Sequence, residues 1–121
     1  MSTLKADTIQ NTSGGAVTLT KQSAAKAWNS FNGTGTIAFI KSFNGSSLVD
    51  AGTGEYDVNI TSAMDSTSYS ILAGNGLHTV HNAANTNGYQ NTSSQYSTTH
   101  WENNGRQDIT YMSGQIHGDL A

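Results

Sequence analysis

The sequence predicts an all-β fold: a small antiparallel β-sandwich or compact barrel with an extended N-terminal segment and at most one short helix. Three observations point there. Short apolar-alternating stretches recur every 8–12 residues; Gly and Asn clusters separate them; and Ser, Thr, Asn, Gln and Gly supply 62 of the 121 residues. Thr in particular suits the solvent face of a strand. A hydrophobic fraction of 35% is low for a globular chain, but a net charge of -3 is too small for a charge-swollen disordered one. A core this modest makes oligomerisation a natural source of added stability.

Taken in order, STLKADTIQ places Leu4, Ala6 and Thr8 on one face before NTSGG breaks it, and AVTLT (16–20) is a second extended piece. We read 1–22 as an extended attachment or subunit-wrapping segment and 23–121 as the β domain. SAAKAW (23–28) is the one helix expected, because Ala favours it and Asn29, Ser30 and Asn32-Gly33 stop it. Trp28 and Phe31 then pack into the core beside it.

TGTIAFIKSF (34–43) carries β-branched and aromatic residues on both faces, which predicts a mostly covered strand. EYDVNIT (55–61) alternates, with Tyr56, Val58 and Ile60 pointing one way and Asp57 and Asn59 the other. SYSILAG (68–74), with Tyr69 and Ile71 inward, returns beside it as a hairpin. LHTV (77–80) is a further short strand and AANTNGYQNTSSQ a turn-rich excursion. YSTTHW (96–101) and QDITYM (107–112) are strands separated by the ENNG turn, and QIHGDLA is an irregular or short extended tail.

Several function classes lose support. Lys5, Lys21, Lys26, Lys41 and Arg106 are too dispersed for a nucleic-acid footprint. No apolar run approaches the roughly 18 residues of a spanning helix, so no membrane insertion is expected. With no cysteine, disulfides and thiolate ligands are excluded. Glu55 and Glu102 are the only glutamates, and neither a G-x-S-x-G elbow nor a phosphate-cradling loop occurs. Asp50, Asp57, Asp65, Asp108 and Asp119 form no EF-hand pattern. No catalysis and no cofactor are expected.

His78 and His81 sit three apart in a β-like stretch, so their rings point to opposite faces. With His100 elsewhere in the chain, no metal site is expected. Sugars present hydroxyls to amides and an apolar face to aromatic rings. His78, His81, Tyr89, Gln90, Asn91, Tyr96, His100 and Trp101 are accordingly the candidate surface or partner contacts. Of these, Tyr89 is the better candidate for exposure, whereas Trp101 is expected to anchor its strand from within.

Residues 4–74 also resemble a module common in tail-fibre and other virion surface proteins of tailed phages, especially marine and cyanobacterial ones. The resemblance rests on Asp7-Thr8-Ile9-Gln10, on Ala27-Trp28 followed by Phe31-Asn32-Gly33, and on Gly54-x-Tyr56 leading to Thr61-Ser62-Ala63-Met64 and Tyr69. It implies a non-enzymatic virion structural protein: a homotrimeric β head bound to other virion proteins, with Leu4, Asp7, Ile9 and Gln10 as candidate attachment residues. A tail-fibre-related surface or fibre-tip subunit contributing to assembly or to host-surface contact, with a host-surface glycan among the candidate partners, is the leading expectation. A head decoration or cement protein and a carbohydrate-binding β module are the alternatives. The ending, Gln115 to Ala121, is poorer in apolar residues than the closing strand of related sequences, so the second half is expected to close differently.

Overall fold

The computed structural model describes residues 9–15, 24–76, 85–102 and 105–121. Among these residues nine strands follow one another: β1 (Ala27–Asn32), β2 (Ala38–Phe43), β3 (Gly45–Gly52), β4 (Glu55–Ile60), β5 (Ser70–Gly76), β6 (Asn85–Thr92), β7 (Gln95–Glu102), β8 (Gly105–Arg106) and β9 (Tyr111–His117). They form two antiparallel sheets. Sheet A has the order β2-β1-β9-β5, and sheet B has β3-β4-β7-β6 with the short β8 also paired to β7. Packed face to face, they make the sandwich rather than a closed barrel, and no helix occurs among the described residues.

Inward-facing residues of both sheets, with Met64, Tyr69 and Ile109 from the connections, build one core that also contains Ala27, Phe31, Tyr56, Val58, Ile60, Tyr96, Met112 and Ile116. In β4 the alternation is the one the sequence predicts: Tyr56, Val58 and Ile60 are buried and Asp57 and Asn59 are only partly covered. Phe31 meets Tyr56 edge to face, with ring centroids 5.2 Å apart. Gly114 of β9 faces the Tyr96 ring, where an added Cβ would stand 2.9 Å from it, so only a glycine lets the two sheets approach there.

The chain crosses between sheets at Asn44, whose φ of 59° is a left-handed conformation that Asn tolerates. Its amide Nδ2 donates to the Lys26 and Ser62 carbonyls, each at 3.0 Å, and its Oδ1 accepts from the Ser62 N–H at 2.7 Å. One side chain thereby ties the β2–β3 corner to the end of β4 and the entry of β1.

Several expectations need correcting. Ala27 and Trp28 lie in a strand and not in a helix, because β1 is paired on both sides, by β2 and β9, and tertiary pairing overrides alanine's preference. Alternation in β1 sends Ala27, Asn29 and Phe31 inward and Trp28 outward, where it is 41% exposed. The 34–43 strand is shorter, Ala38–Phe43, and lies at the edge of sheet A with Ile40 and Phe43 exposed rather than covered.

No hairpin joins β4 to β5. β4 pairs with β3 and β7, while β5 pairs with β9 in the other sheet. Tyr56, Val58 and Ile60 therefore meet the Tyr69–Ile71 side across the interior and not along a shared ladder. Alternation marks both strands as facing the core and cannot distinguish neighbours from opposites.

The supposed excursion at 83–95 contains a full edge strand, β6, hydrogen-bonded along β7. β9 begins at Tyr111, so Gln107, Asp108 and Ile109 are loop. It continues through Gln115, Ile116 and His117, making the expected tail the middle of sheet A. Leu120 then bridges to Met64. At the other end, Asn11 closes the predicted NTSGG break as a turn, its Oδ1 accepting from the N–H groups of Ser13 and Gly15. LHTV, AVTLT and most of 1–22 lie outside the described residues.

Candidate functional site: the two outer faces of the sandwich

Strand alternation divides the predicted contact residues between two environments. In the β6–β7 hairpin, Tyr89 is paired with Ser97 and Asn85 with Trp101, while Gln90 is paired with Tyr96 and Thr86 with His100. Tyr89, Asn91 and Trp101 lie on the outer face of sheet B. Gln90, Tyr96 and His100 belong to the side facing sheet A. His78, His81, Leu4 and Asp7 lie outside the described residues, and Ile9 and Gln10 are exposed.

The inward set is structural. Tyr96 is fully buried, and the Asn29 side-chain amide of β1 donates to its hydroxyl across the sandwich. Burial pushes the Tyr96 phenol far above its ordinary pKa, against the lowering effect of that hydrogen bond. His100 is equally buried, with Nδ1 3.3 Å from Asn75 Nδ2 and 3.2 Å from Thr86 Oγ1. Gln90 spends its amide on the Tyr69 carbonyl at 2.6 Å, stitching β6 to the start of β5. Tyr96 and His100 are thus removed from the surface contacts predicted for them.

Two further tyrosines complete this internal set. Tyr69 donates to the Thr92 and Gln95 carbonyls flanking the β6–β7 turn, and burial raises its pKa. Tyr56 donates to the Gly33 carbonyl at 2.7 Å and lies 3.1 Å from Asp108 Oδ1. Burial first, then the neighbouring Asp108 charge, holds this phenol neutral well beyond the usual range. Asp108 also accepts from the Gly54 N–H at 2.7 Å, which makes it a loop anchor.

On the outer face of sheet B the polar side chains are bound to one another. Ser97 donates to Asp57 Oδ1, and Asn91 Nδ2 reaches Asp57 Oδ1, Gln95 Oε1 and Ser97 Oγ. Gln95 Nε2 donates to Asn59 Oδ1 at 3.0 Å, and Asn59 Nδ2 to Ser47 Oγ at 3.0 Å. This chain of contacts runs across β6, β7, β4 and β3. Ser97 within it, and Thr99 two residues further along β7, are buried although they point away from the core. Tyr89 flanks the network at 49% exposure. Towards the β8 end, the Arg106 guanidinium lies 5.3 Å from the centre of the Trp101 ring and pairs with Glu55. Trp101 is 40% exposed, so its anchoring is by this outside stack and not from within, as predicted.

The outer face of sheet A has a different character. Register places Phe43, Trp28, Gln115 and Leu72 side by side across all four strands. Phe43, Trp28 and Leu72 are 48%, 41% and 61% exposed, and Tyr111 stands further along β9. A trough of about 430 Å³ lies against Trp28, Leu72 and Gln115, and Ser113 borders both it and a second hollow of about 270 Å³ beside Tyr111. Sequence reading missed this face. The expected helix hid the outward position of Trp28, and Leu72 and Tyr111 join it only through the non-local β5–β9 and β1–β9 pairings.

Among the described residues, no three His, Cys, Asp or Glu side chains gather where a metal ion would fit. What the two faces offer is contact chemistry: an apolar row on one, an ordered amide and hydroxyl array with aromatic flanks on the other. Comparison with family models, with curated proteins and with solved structures found no match.

Proposed function

We propose that this chain is a non-enzymatic structural module of a tailed-phage virion surface, related to tail-fibre proteins, which assembles as a homotrimer by covering the outer face of sheet A. The observation that carries this reading is the cross-strand row Phe43–Trp28–Gln115–Leu72, apolar in three of four positions and open to water in the single chain. Contiguous apolar surface of that kind marks an association face, whereas scattered apolar residues do not. The tail-fibre-like pattern over residues 4–74 supplies the setting, and a small core supplies the need for added burial.

Light scattering on the purified chain tests the assembly. Three copies per particle are expected, and Trp28→Lys, which places a charge in the middle of the row, is expected to yield folded monomers. A wild-type monomer at every concentration, or a trimer indifferent to Trp28→Lys, overturns the association face. A virion reconstruction that locates the subunit tests the setting separately.

A further inference from the structure

The outer face of sheet B is unlike an ordinary solvated strand face. Polar side chains needed only for solubility gain little from fixing one another, since each fixed side chain gives up rotamer entropy. Here Asp57, Asn59, Asn91, Gln95 and Ser97 are joined in one network, and Ser97 is itself buried within it. One exposed ring, Tyr89, borders the network, and a second, Trp101, stands beyond it on the same face. Tyr89 stands beside Ser97 and Trp101 lies four residues further along β7, roughly 13 Å in the strand direction.

From this arrangement we infer that the outer face of sheet B is a binding site for a neutral oligosaccharide. Polar atoms held in place before a ligand arrives reduce the entropy lost on binding. All the network contacts of Asn91 run through Nδ2 and all those of Asp57 through Oδ1. Among the described residues, Asn91 Oδ1 and Asp57 Oδ2 are thereby left to accept sugar hydroxyls, and the Tyr89 hydroxyl adds a further polar tip. The Tyr89 ring covers an apolar sugar face, and the open side of Trp101 does the same for a ring further along the chain. Charge selects against acidic sugars. Glu55 is paired with Arg106, whereas among the described residues no cation pairs with Asp57, so a carboxylate or sulfate ligand would meet its negative charge. The site is independent of the virion setting and lies on the sheet opposite the proposed association face.

The test is a panel of immobilised neutral oligosaccharides beside sialylated, uronate-containing and sulfated ones, probed with the full chain. Hits are then titrated by calorimetry and by NMR of the Trp101 indole and Asn91 amide protons. Binding restricted to neutral members is expected, with at least tenfold weakening in Tyr89→Ala and in Asn91→Ala and a smaller loss in Tyr89→Phe. Lys41→Ala, on the other sheet and outside the apolar row, is expected to leave the affinity unchanged. Silence of the folded wild-type chain across the panel overturns the proposal, as does preference for acidic members. Binding that survives both Tyr89→Ala and Asn91→Ala, or that is lost only in Lys41→Ala, places recognition elsewhere and overturns it equally. Melting curves and circular dichroism of each variant separate lost affinity from lost fold.

Discussion

The outer faces of sheets A and B are made from the same strand grammar, yet they end in opposite states. On sheet B, Asp57, Asn91, Gln95 and Ser97 bind one another, and the Ser97 hydroxyl is buried among them. On sheet A, Phe43, Trp28 and Leu72 stand in line facing water. A polar face can satisfy itself within one chain through directional hydrogen bonds. An apolar face cannot, because its stabilisation comes from removing water, and that requires another surface. The difference separates a face whose hydrogen bonds run within the chain from one whose apolar area stays open to water, the face proposed above for association.

That contrast depends on one shared interior, so the largest expected effect is the loss of both faces together at high pH. Tyr56, Tyr69 and Tyr96 have pKa values raised in the folded chain, chiefly by burial. Their neutral forms contribute stability that is fully present below the unfolded tyrosine pKa of about 10 and falls as pH rises from there towards the folded values. Tyr56 and Tyr96 each add a slope of up to about 1.4 kcal/mol per pH unit in that window, and Tyr69 acts in the same direction. Urea titrations at successive pH values are expected to show stability flat near neutrality and falling steeply above about pH 10. Tyrosinate absorbance of these three residues is expected to appear together with unfolding. Stability unchanged through that window would show that the phenols ionise in place, and the interior would not be the rigid support both faces need.

A smaller effect separates the faces. Asp57→Ala removes the carboxylate that accepts from Ser97 and Asn91, and Ser97 is only 6% exposed. A buried hydroxyl that loses its acceptor costs about 1–2 kcal/mol. Chemical denaturation is expected to show that loss with an unchanged slope. A neutral outcome would mean that the network on sheet B is loosely held, and the contrast with sheet A would shrink accordingly.

How much of this was legible beforehand follows the range of the interactions. The β4 alternation, the buried Phe31, the β7 strand and the exposure of Tyr89 follow from local pattern, since side-chain period and turn residues act within a few positions. Misplaced elements all depend on partners distant in the chain. β1 is a strand because β2 and β9 flank it. β4 and β5 are opposed because the 61–69 connection changes sheet. Asn-, Gly- and Thr-rich β6 holds as an edge strand because β7 supplies its ladder, although its composition reads as turn. For the same reason Tyr96 and His100 looked like surface contacts: polar neighbours surround them in sequence, but alternation within β7 turns them to the core. Ser97 and Trp101, one residue away from each, face out.

The smallest expected effect bears directly on the idea that sheet A awaits a partner. Leu72 is 61% exposed on β5, the most exposed member of the apolar row. A surface substitution away from the core and from any hydrogen-bond network changes stability by about 0.5 kcal/mol or less. Leu72→Ser, measured under conditions where the chain is monomeric, is therefore expected to melt almost as the wild type does. Under associating conditions the same substitution removes apolar area from the interface, and its cost is expected to emerge as weaker assembly. The two measurements must disagree for the face to be an association surface. If Leu72→Ser is silent in both, the exposed row is incidental and sheet A is as self-sufficient as sheet B. If it destabilises the isolated monomer by well over that limit, Leu72 is already packed within its own chain, and the asymmetry between the two faces fails at its most exposed point.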